Sequence, residues 1–222
     1  LPDGSTLTID DGNLREYLGK PRFTPEAHER TSVPGVATGL AVTGLGGDVL
    51  FIEANAVEGA SGLTLTGQLG DVMKESAQIA LSYVRAHADE LGITNKEILD
   101  SNIHIHVPAG AQPKDGPSAG VTMVTALTSM ALGRPVRSDV GMTGEVTLNG
   151  RVLPIGGLKQ KLLAAQRAGL TTVFAPKRNE PDLDDVPEDV LEAIEVVLTT
   201  DVAELVRSAI EAAPAAQTAV AA

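Results

Sequence analysis

Residues 103–133 read IHIHVPAGAQPKDGPSAGVTMVTALTSMALG, so a strand pattern, a loop and a helix pattern follow one another directly. The first five residues alternate aliphatic and histidine side chains, which is typical of a β-strand with one buried face. Proline and glycine interrupt residues 108–116, and the sequence from Pro117 to Leu132 is mainly apolar. Proline favours the first turn of a helix and glycine the position after its end, so Pro117 and Gly133 bound a predicted buried helix.

Strand and helix patterns continue on both sides of this stretch in an irregular order. Strands are predicted at 37–42, 48–55, 63–66, 173–175 and 195–198, and helices at 71–91, 157–168, 188–194 and 201–212. A hairpin is predicted at 145–153, because Asn149-Gly150 favours a two-residue type I′ turn. The irregular order predicts an α+β fold with small mixed sheets and packed helices.

Composition excludes several classes of protein. The chain has 222 residues, of which 43% are hydrophobic, it contains no cysteine, and its formal net charge is −12. Without cysteine there is no disulfide scaffold, thiol nucleophile or cysteine zinc site. The acidic balance argues against nucleic-acid binding, which needs a basic surface. No apolar run approaches the roughly 20 residues of a membrane helix.

Ser118 stands at the first turn of the predicted apolar helix, after a loop that contains Gly116. The first N–H groups of a helix have no intrahelical partner, so they can hold an anion such as the oxyanion of acyl transfer. Ser118 is therefore a candidate nucleophile, presented by the turn through Gly116 and Pro117. The alternative is that Ser118 only caps the helix, a common role for serine.

A serine nucleophile needs a base, and the predicted helix at 157–168 contains an unusual candidate. With a rotation of 100° per residue, Lys161 falls within the apolar arc of this helix, whereas Lys159 points away from it. The arc consists of Leu158, Leu162, Ala164, Ala165 and Ala168. Burial lowers the pKa of a lysine, and a neutral amine can accept a serine proton. The alternative is that the Lys161 stem packs while its ammonium reaches water.

Four further polar residues are candidates for supporting roles. Thr143, just before the predicted hairpin, could hydrogen-bond Lys161 and orient it. Asp115 could cap the helix or enter and leave the site as a hinge at Gly116 moves. His104 and His106 share one strand face near the Ser118 loop; a structural role is favoured for them, and a Ser-His pairing stays open.

Two segments resemble the proteolytic domain of the bacterial A-type Lon proteases. PKDGPSAG at 113–120 is similar to the nucleophile motif of that family, and GGLKQKLLAA at 156–165 is similar to its lysine motif. The 43-residue spacing of Ser118 and Lys161 also matches. The resemblance extends over about residues 33–208 and includes the segments at 66–70, 104–108, 142–145 and 153–157.

The resemblance implies a serine endopeptidase that degrades unfolded or damaged proteins, with Ser118 as nucleophile and Lys161 as general base. It also implies a ring, a homohexamer in the full-length protein, and an upstream ATPase module that uses ATP and Mg²⁺. Residues 1–30 are then a C-terminal stub of that module plus a linker, residues 31–212 the proteolytic domain, and residues 213–222 a disordered tail. The chain itself is expected to bind no cofactor, metal, membrane or nucleic acid, and to be cytoplasmic.

Two alternatives stay open from the residues alone. The first is a Ser-Lys amidase or esterase that acts on small substrates. The second is a non-catalytic oligomerisation module in which Ser118 and Lys161 are structural. Turnover of an unfolded protein separates the peptidase from the first alternative, and covalent labelling of Ser118 separates it from the second.

Overall fold

The computed structural model describes residues 8–10, 12–18, 31–44, 46–108 and 112–212. Most of the predicted stub and linker at 1–30 lies outside these residues, and so does the whole predicted tail at 213–222. Among the described residues of this segment, a short helix α1 covers Leu14–Leu18.

Seven strands form one mixed sheet. The strands are β1 (Val36–Thr43), β2 (Gly46–Val57), β3 (Gly62–Thr66), β4 (Asn102–His106), β5 (Val140–Met142), β8 (Thr172–Pro176) and β9 (Glu195–Thr199). They lie in the order β3-β4-β2-β1-β5-β8-β9. β2 runs antiparallel to both β1 and β4, and the other neighbouring pairs are parallel. The predicted α+β class is confirmed, and most strands join in one sheet that is larger than expected.

Most helices lie in the connections between these strands, and the last one follows β9. They are α2 (Asp71–Ala86), α3 (Glu97–Asp100), α4 (Gly120–Leu132), α5 (Leu158–Arg167), α6 (Glu188–Ala193) and α7 (Val202–Ala209). A 3-10 helix spans Lys177–Asp185, a segment for which the sequence predicts neither a helix nor a strand. The short strand β5 is not predicted by the sequence at all.

Helices cover both faces of the sheet at β1 and β2. α2 and α4 pack together, and α4, which is buried along most of its length, contacts β1 and β2 on one face. α5 contacts the same two strands on the other face. Ala37 of β1 joins the core cluster of α4, whereas Leu40 joins that of α5, as alternating strand side chains do. The helix that follows Ser118 and the helix that carries Lys161 therefore lie on opposite faces.

β1 is paired along its whole length on one side and at a single point on the other. All eight of its residues pair with β2, but its register with β5 consists of one pair, Gly39 opposite Met142. Within the described residues, no strand pairs with β1 on the β5 side beyond Gly39. The sheet therefore has an opening beside the last residues of β1.

The hairpin after β5 has a different turn from the one predicted. β6 (Glu145–Val146) pairs with β7 (Val152–Leu153), so Thr147 lies opposite Arg151 and the loop between them has three residues. Gly150 alone adopts a positive φ, of 78°, and Asn149 does not, so the type I′ prediction is wrong. Two contacts fix this register: Thr147 Oγ1 accepts a hydrogen bond from the Arg151 N–H, and the Tyr83 ring packs against Gly150.

Candidate active site

Ser118 lies in a turn two residues before α4, and not in its first turn as predicted. Gly120 donates a hydrogen bond to the Pro117 carbonyl at 3.2 Å. The segment after β5 hydrogen-bonds the backbone of this turn, since the Gly144 N–H donates to the Ser118 carbonyl at 2.9 Å. No side chain caps α4, so Ser118 is not its N-cap. The hydroxyl forms no hydrogen bond with the described residues, and Ser118 lines a cavity.

Asp115 caps a helix, but the helix is α2. Its Oδ1 accepts hydrogen bonds from the Met73 N–H and from the Gly116 N–H, both at 2.9 Å. The N-cap residue of α2 is Gly70, which has no side chain for this purpose. A Cβ on Gly70 would lie 2.2 Å from Asp115 Cγ, so the glycine leaves room for the carboxylate from the other loop. The loop before Ser118 is thereby attached to the start of α2.

A second set of contacts holds the same loop further along the chain. The Lys114 N–H donates to the Gln68 carbonyl at 3.0 Å, and the Gly70 N–H donates to the Lys114 carbonyl at 2.7 Å. Lys114 Nζ donates to the Gly67 carbonyl at 3.1 Å. Gln68 has a positive φ of 55°, a conformation uncommon for a residue with a side chain. The turn between β3 and α2 therefore holds the Ser118 loop in place through these hydrogen bonds.

Lys161 is buried and Lys159 is exposed, as the helical period predicts. The Lys161 side chain is 2% exposed, and Leu158, Leu162, Ala164 and Ala165 are buried on the same helix. Burial lowers the pKa of Lys161 from 10.5 to about 8, because the surroundings disfavour the charged form. Among the described residues no carboxylate pairs with it. The snorkelling alternative for Lys161 is wrong.

Thr143 receives the hydrogen bond of this lysine. Lys161 Nζ donates to Thr143 Oγ1 at 2.9 Å, which confirms the predicted contact between the two side chains. Thr143 is fully buried directly after β5, and its N–H donates to the Phe174 carbonyl of β8 at 3.0 Å. Its hydroxyl donates in turn to the Ser118 carbonyl at 3.4 Å. Thr143 thus connects the lysine to the backbone of the serine.

Ser118 and Lys161 line one cavity of about 320 Å³. Its other lining residues are Ala41, Val42, Asp115, Pro117, Pro154, Ile155 and Gly156. The cavity lies at the opening beside the last residues of β1, where the elements from the two faces of the sheet meet. A larger, mostly apolar cavity of about 380 Å³ adjoins it and shares Ala41, Val42 and Asp115 with it.

Two backbone N–H groups next to the serine have no partner among the described residues. Pro117 has no N–H, and that of Gly116 is bonded to the Asp115 carboxylate. The N–H groups of Ser118 and Ala119 are the ones left over, at the site where the sequence predicts an oxyanion hole. Hydrogen-bond donors that are already in place stabilise the oxyanion that develops in acyl transfer, and these two N–H groups are available for that role.

His104 and His106 lie together on one face of β4, as predicted, but neither lines the cavity of Ser118. Both rings contact the hydroxyl of Thr66 on β3, at 2.9 Å from His104 Nε2 and 2.7 Å from His106 Nδ1. These contacts join two neighbouring strands. The geometry favours the structural role for both histidines.

The described part of the chain contains no cluster of three or more His, Asp or Glu residues that could hold a metal ion. Within the same residues, none of the helices has the length and apolar character needed to span a bilayer.

Two residues of the site escaped the sequence analysis. Gly70 could have been noticed as a helix start with no capping side chain. Asn179 is 4% exposed in the 3-10 helix, and its amide bonds both backbone groups of Ile155 in the cavity wall. Its only signal in the sequence is a single amide within a run of charged residues.

Comparison with known proteins agrees with this architecture. Residues 8–212 match the family described as the Lon protease (S16) C-terminal proteolytic domain. The chain is 73% identical over 221 residues to a Lon protease of Mycolicibacterium smegmatis, covering 100% of this chain and 28% of that protein. It is 64% identical over 211 residues to a Lon protease of Salinispora arenicola, covering 95% and 27% respectively. The chain, which spans about a quarter of the length of these relatives, therefore belongs to the Lon protease family and is a proteolytic domain of the serine peptidase type.

Proposed function

We propose that Ser118 and Lys161 form the catalytic dyad of this domain and hydrolyse peptide bonds. The observation that carries the proposal is the state of Lys161: a buried amine without a carboxylate partner, facing the cavity that Ser118 lines. Because its pKa is about 8, a substantial fraction of this amine is neutral near physiological pH. A neutral amine is the form that a general base requires.

In the proposed reaction Lys161 Nζ takes the proton of the Ser118 hydroxyl as the oxygen attacks the substrate carbonyl. The N–H groups of Ser118 and Ala119 stabilise the oxyanion. The charged Lys161 then protonates the departing amine, which leaves an acyl-enzyme on Ser118. Water attacks the ester with Lys161 again as base, and the proton returns to Ser118. Thr143 holds the amine towards the cavity throughout.

The cavities support an extended polypeptide as substrate. On the β5 side, no strand among the described residues pairs with Leu40, Ala41 or Val42, so this stretch of β1 can pair with an added strand, a common mode of peptide recognition. The adjoining cavity is lined by the apolar residues Val49, Leu50, Phe51, Pro108 and Pro113, which suit an apolar side chain of the substrate. A folded protein does not present its backbone in this way, so unfolded or damaged chains are the proposed substrates.

The proposal for the longer protein rests on its relatives. They are named Lon proteases, and this chain covers 28% and 27% of their lengths. We place the domain in a cytoplasmic homohexamer, with an ATPase module that uses ATP and Mg²⁺ to deliver unfolded chains. The rim of the cavity at Asp115 and Gly116 is the part that a neighbouring module would reposition.

The test combines labelling with turnover. The chain is treated with a fluorophosphonate, its mass is measured intact, and the modified residue is mapped by peptide sequencing. The proposal expects one adduct, on Ser118, and cleavage of an unfolded casein that the label abolishes. An adduct on Ser118 with turnover of small amides alone would indicate the amidase alternative. Absence of any adduct on Ser118 would contradict the dyad.

A further inference from the structure

Asn179 makes an unusual contact with the wall of the proposed active site. Its Oδ1 accepts a hydrogen bond from the Ile155 N–H at 3.0 Å, and its Nδ2 donates to the Ile155 carbonyl at 2.8 Å. One side-chain amide therefore bonds both backbone groups of one residue, 24 positions away in the chain. Nδ2 also donates to Asp182 Oδ2 at 2.6 Å, which fixes the orientation of the amide.

This contact reveals the conformation of Ile155. The N–H and the carbonyl of one residue point to the same side only in an extended strand, where the neighbouring residues present theirs to the opposite side. Asn179 thus takes the place of a partner strand on one edge of Ile155. The Pro154 carbonyl and the Gly156 N–H are directed to the other edge.

That other edge belongs to the cavity of Ser118. Pro154, Ile155 and Gly156 all line it, and the first and last of them are exposed. The Ile155 side chain packs against the core cluster of α5, so the segment is held from below as well as from one edge. Neither the Pro154 carbonyl nor the Gly156 N–H bonds another described residue. An extended residue with its backbone bonded on one side and open on the other can pair with an extended peptide.

We propose that Asn179 is a positioning residue for substrate: it holds Ile155 extended, so that the Pro154 carbonyl and the Gly156 N–H bind the backbone of the peptide being cleaved. The inference rests on the proposed peptidase function and adds a second binding edge to it. β1 supplies one wall of the cavity and residues 154–156 supply another. Asn179 touches neither the substrate nor the dyad, and acts through Ile155.

The test separates binding from chemistry. Asn179→Ala and the isosteric Asn179→Asp, which keeps an acceptor for the Ile155 N–H but loses the donor, are compared with Glu180→Gln. Glu180 is the next residue, is exposed and pairs with Lys177, so its variant leaves the contact with Ile155 intact. For each protein, KM and kcat are measured with a fluorogenic decapeptide, and the rate of Ser118 labelling is measured with a small fluorophosphonate.

Loss of these hydrogen bonds is expected to raise KM for the decapeptide about tenfold in both Asn179 variants. The small probe does not need the strand template, so its labelling rate stays within about twofold, and the pH midpoint of labelling stays unchanged. An unchanged KM in a variant that still labels would overturn the inference. An equal fall in labelling and in kcat/KM would do so too, because Asn179 would then support the dyad and not the substrate edge.

Failure of the peptidase function and failure of the positioning role of Asn179 give different results. If the unaltered chain is not labelled on Ser118, the peptidase function is contradicted, and the positioning role fails with it. If Asn179→Ala does not fold, Asn179→Asp provides the same comparison in a side chain of equal size. A variant that labels normally but binds the decapeptide as tightly as the unaltered chain contradicts the positioning role alone.

Discussion

The loop before Ser118 and the helix of Lys161 hold the two members of the proposed dyad in opposite ways. Ser118 lies in a loop that contains Gly116. The loop is held by the hydrogen bond that Asp115 accepts from α2 and by the hydrogen bonds between Lys114 and the turn before α2. Lys161 lies within a regular helix, 2% exposed, among aliphatic side chains. Hydrogen bonds at a surface loop can be exchanged with water, whereas a buried helical face moves only with its core. We therefore expect the base to be fixed and the loop that carries the nucleophile to be the more adjustable of the two.

The largest expected effect comes from removing either member. Ser118→Ala and Lys161→Gln are each expected to lower peptide cleavage by at least about 10⁴-fold, since members of a catalytic unit act together. Lys159→Gln is the matched control, because this lysine is exposed on the same helix. Cleavage rates of an unfolded protein compare the three variants. Substantial activity in Lys161→Gln would remove Lys161 from the mechanism.

Replacement of Lys161 by methionine is expected to stabilise the protein while it abolishes activity. At pH 7 the lysine is mostly charged in both the folded and the unfolded state, so nearly all of its burial cost is present. The depression of its pKa from 10.5 to about 8 corresponds to roughly 3 kcal/mol. Lys161→Met is therefore expected to raise the free energy of unfolding at pH 7 by about 2–3 kcal/mol.

The same comparison has a pH dependence of defined sign. Between pH 8 and 10.5 the unfolded state binds more protons at Lys161 than the folded state, so the unaltered chain gains stability as pH rises. The methionine variant lacks this gain, and the difference between the two proteins shrinks over that range. Urea unfolding at pH 7 and at pH 10 measures both effects. A less stable Lys161→Met at pH 7 would contradict the burial cost.

Substitutions of Thr143 test whether the hydrogen bond to Lys161 contributes to catalysis separately from the burial of the amine. Thr143→Val removes the acceptor of the Lys161 hydrogen bond but fills nearly the same space, and is expected to lower kcat about 10- to 100-fold. The pKa of Lys161 falls further, since the charged form loses its partner. Thr143→Ser keeps the hydroxyl and serves as control. Equal rates in the valine and serine variants would mean that the hydrogen bond does not orient the amine.

The smallest expected effect concerns the attachment of the loop before Ser118. Gly70→Ala places a Cβ against the Asp115 carboxylate and displaces the cap of α2. The expected loss is about 1 kcal/mol of stability, with a fewfold lower rate of Ser118 labelling. Asp71→Asn is the control, because its exposed carboxylate lies at the same helix end and pairs with Lys74. Unaltered stability and labelling in Gly70→Ala would show that the cap does not hold the loop.

The periodicity of the local sequence predicts the orientation of Lys161 well. The 100° rotation of a helix places Lys161 inside and Lys159 outside without knowledge of the rest of the fold. Alternation in the same way predicts β4 with its two histidines on one face. These features depend on neighbouring residues in the chain, so the sequence contains the information directly.

Contacts between distant segments explain what was not predicted. Asp115 caps a helix that begins more than 40 residues earlier, and Asn179 acts on a residue 24 positions away. β5 has three residues, too few for a recognisable alternation. In the hairpin, the Tyr83 ring and the Thr147 hydroxyl override the preference of Asn149-Gly150. In each case tertiary packing decides between local conformations that the sequence alone allows.

The pH dependence of Ser118 labelling tests the central claim most directly. The rate of reaction with a fluorophosphonate is measured from pH 5 to pH 11 on the unaltered chain. A buried, neutral Lys161 as base predicts a rate that rises with pH and levels off with a midpoint near 8. A midpoint near 6.5, the usual value for histidine, or near 10.4, that of a solvated lysine, would contradict it.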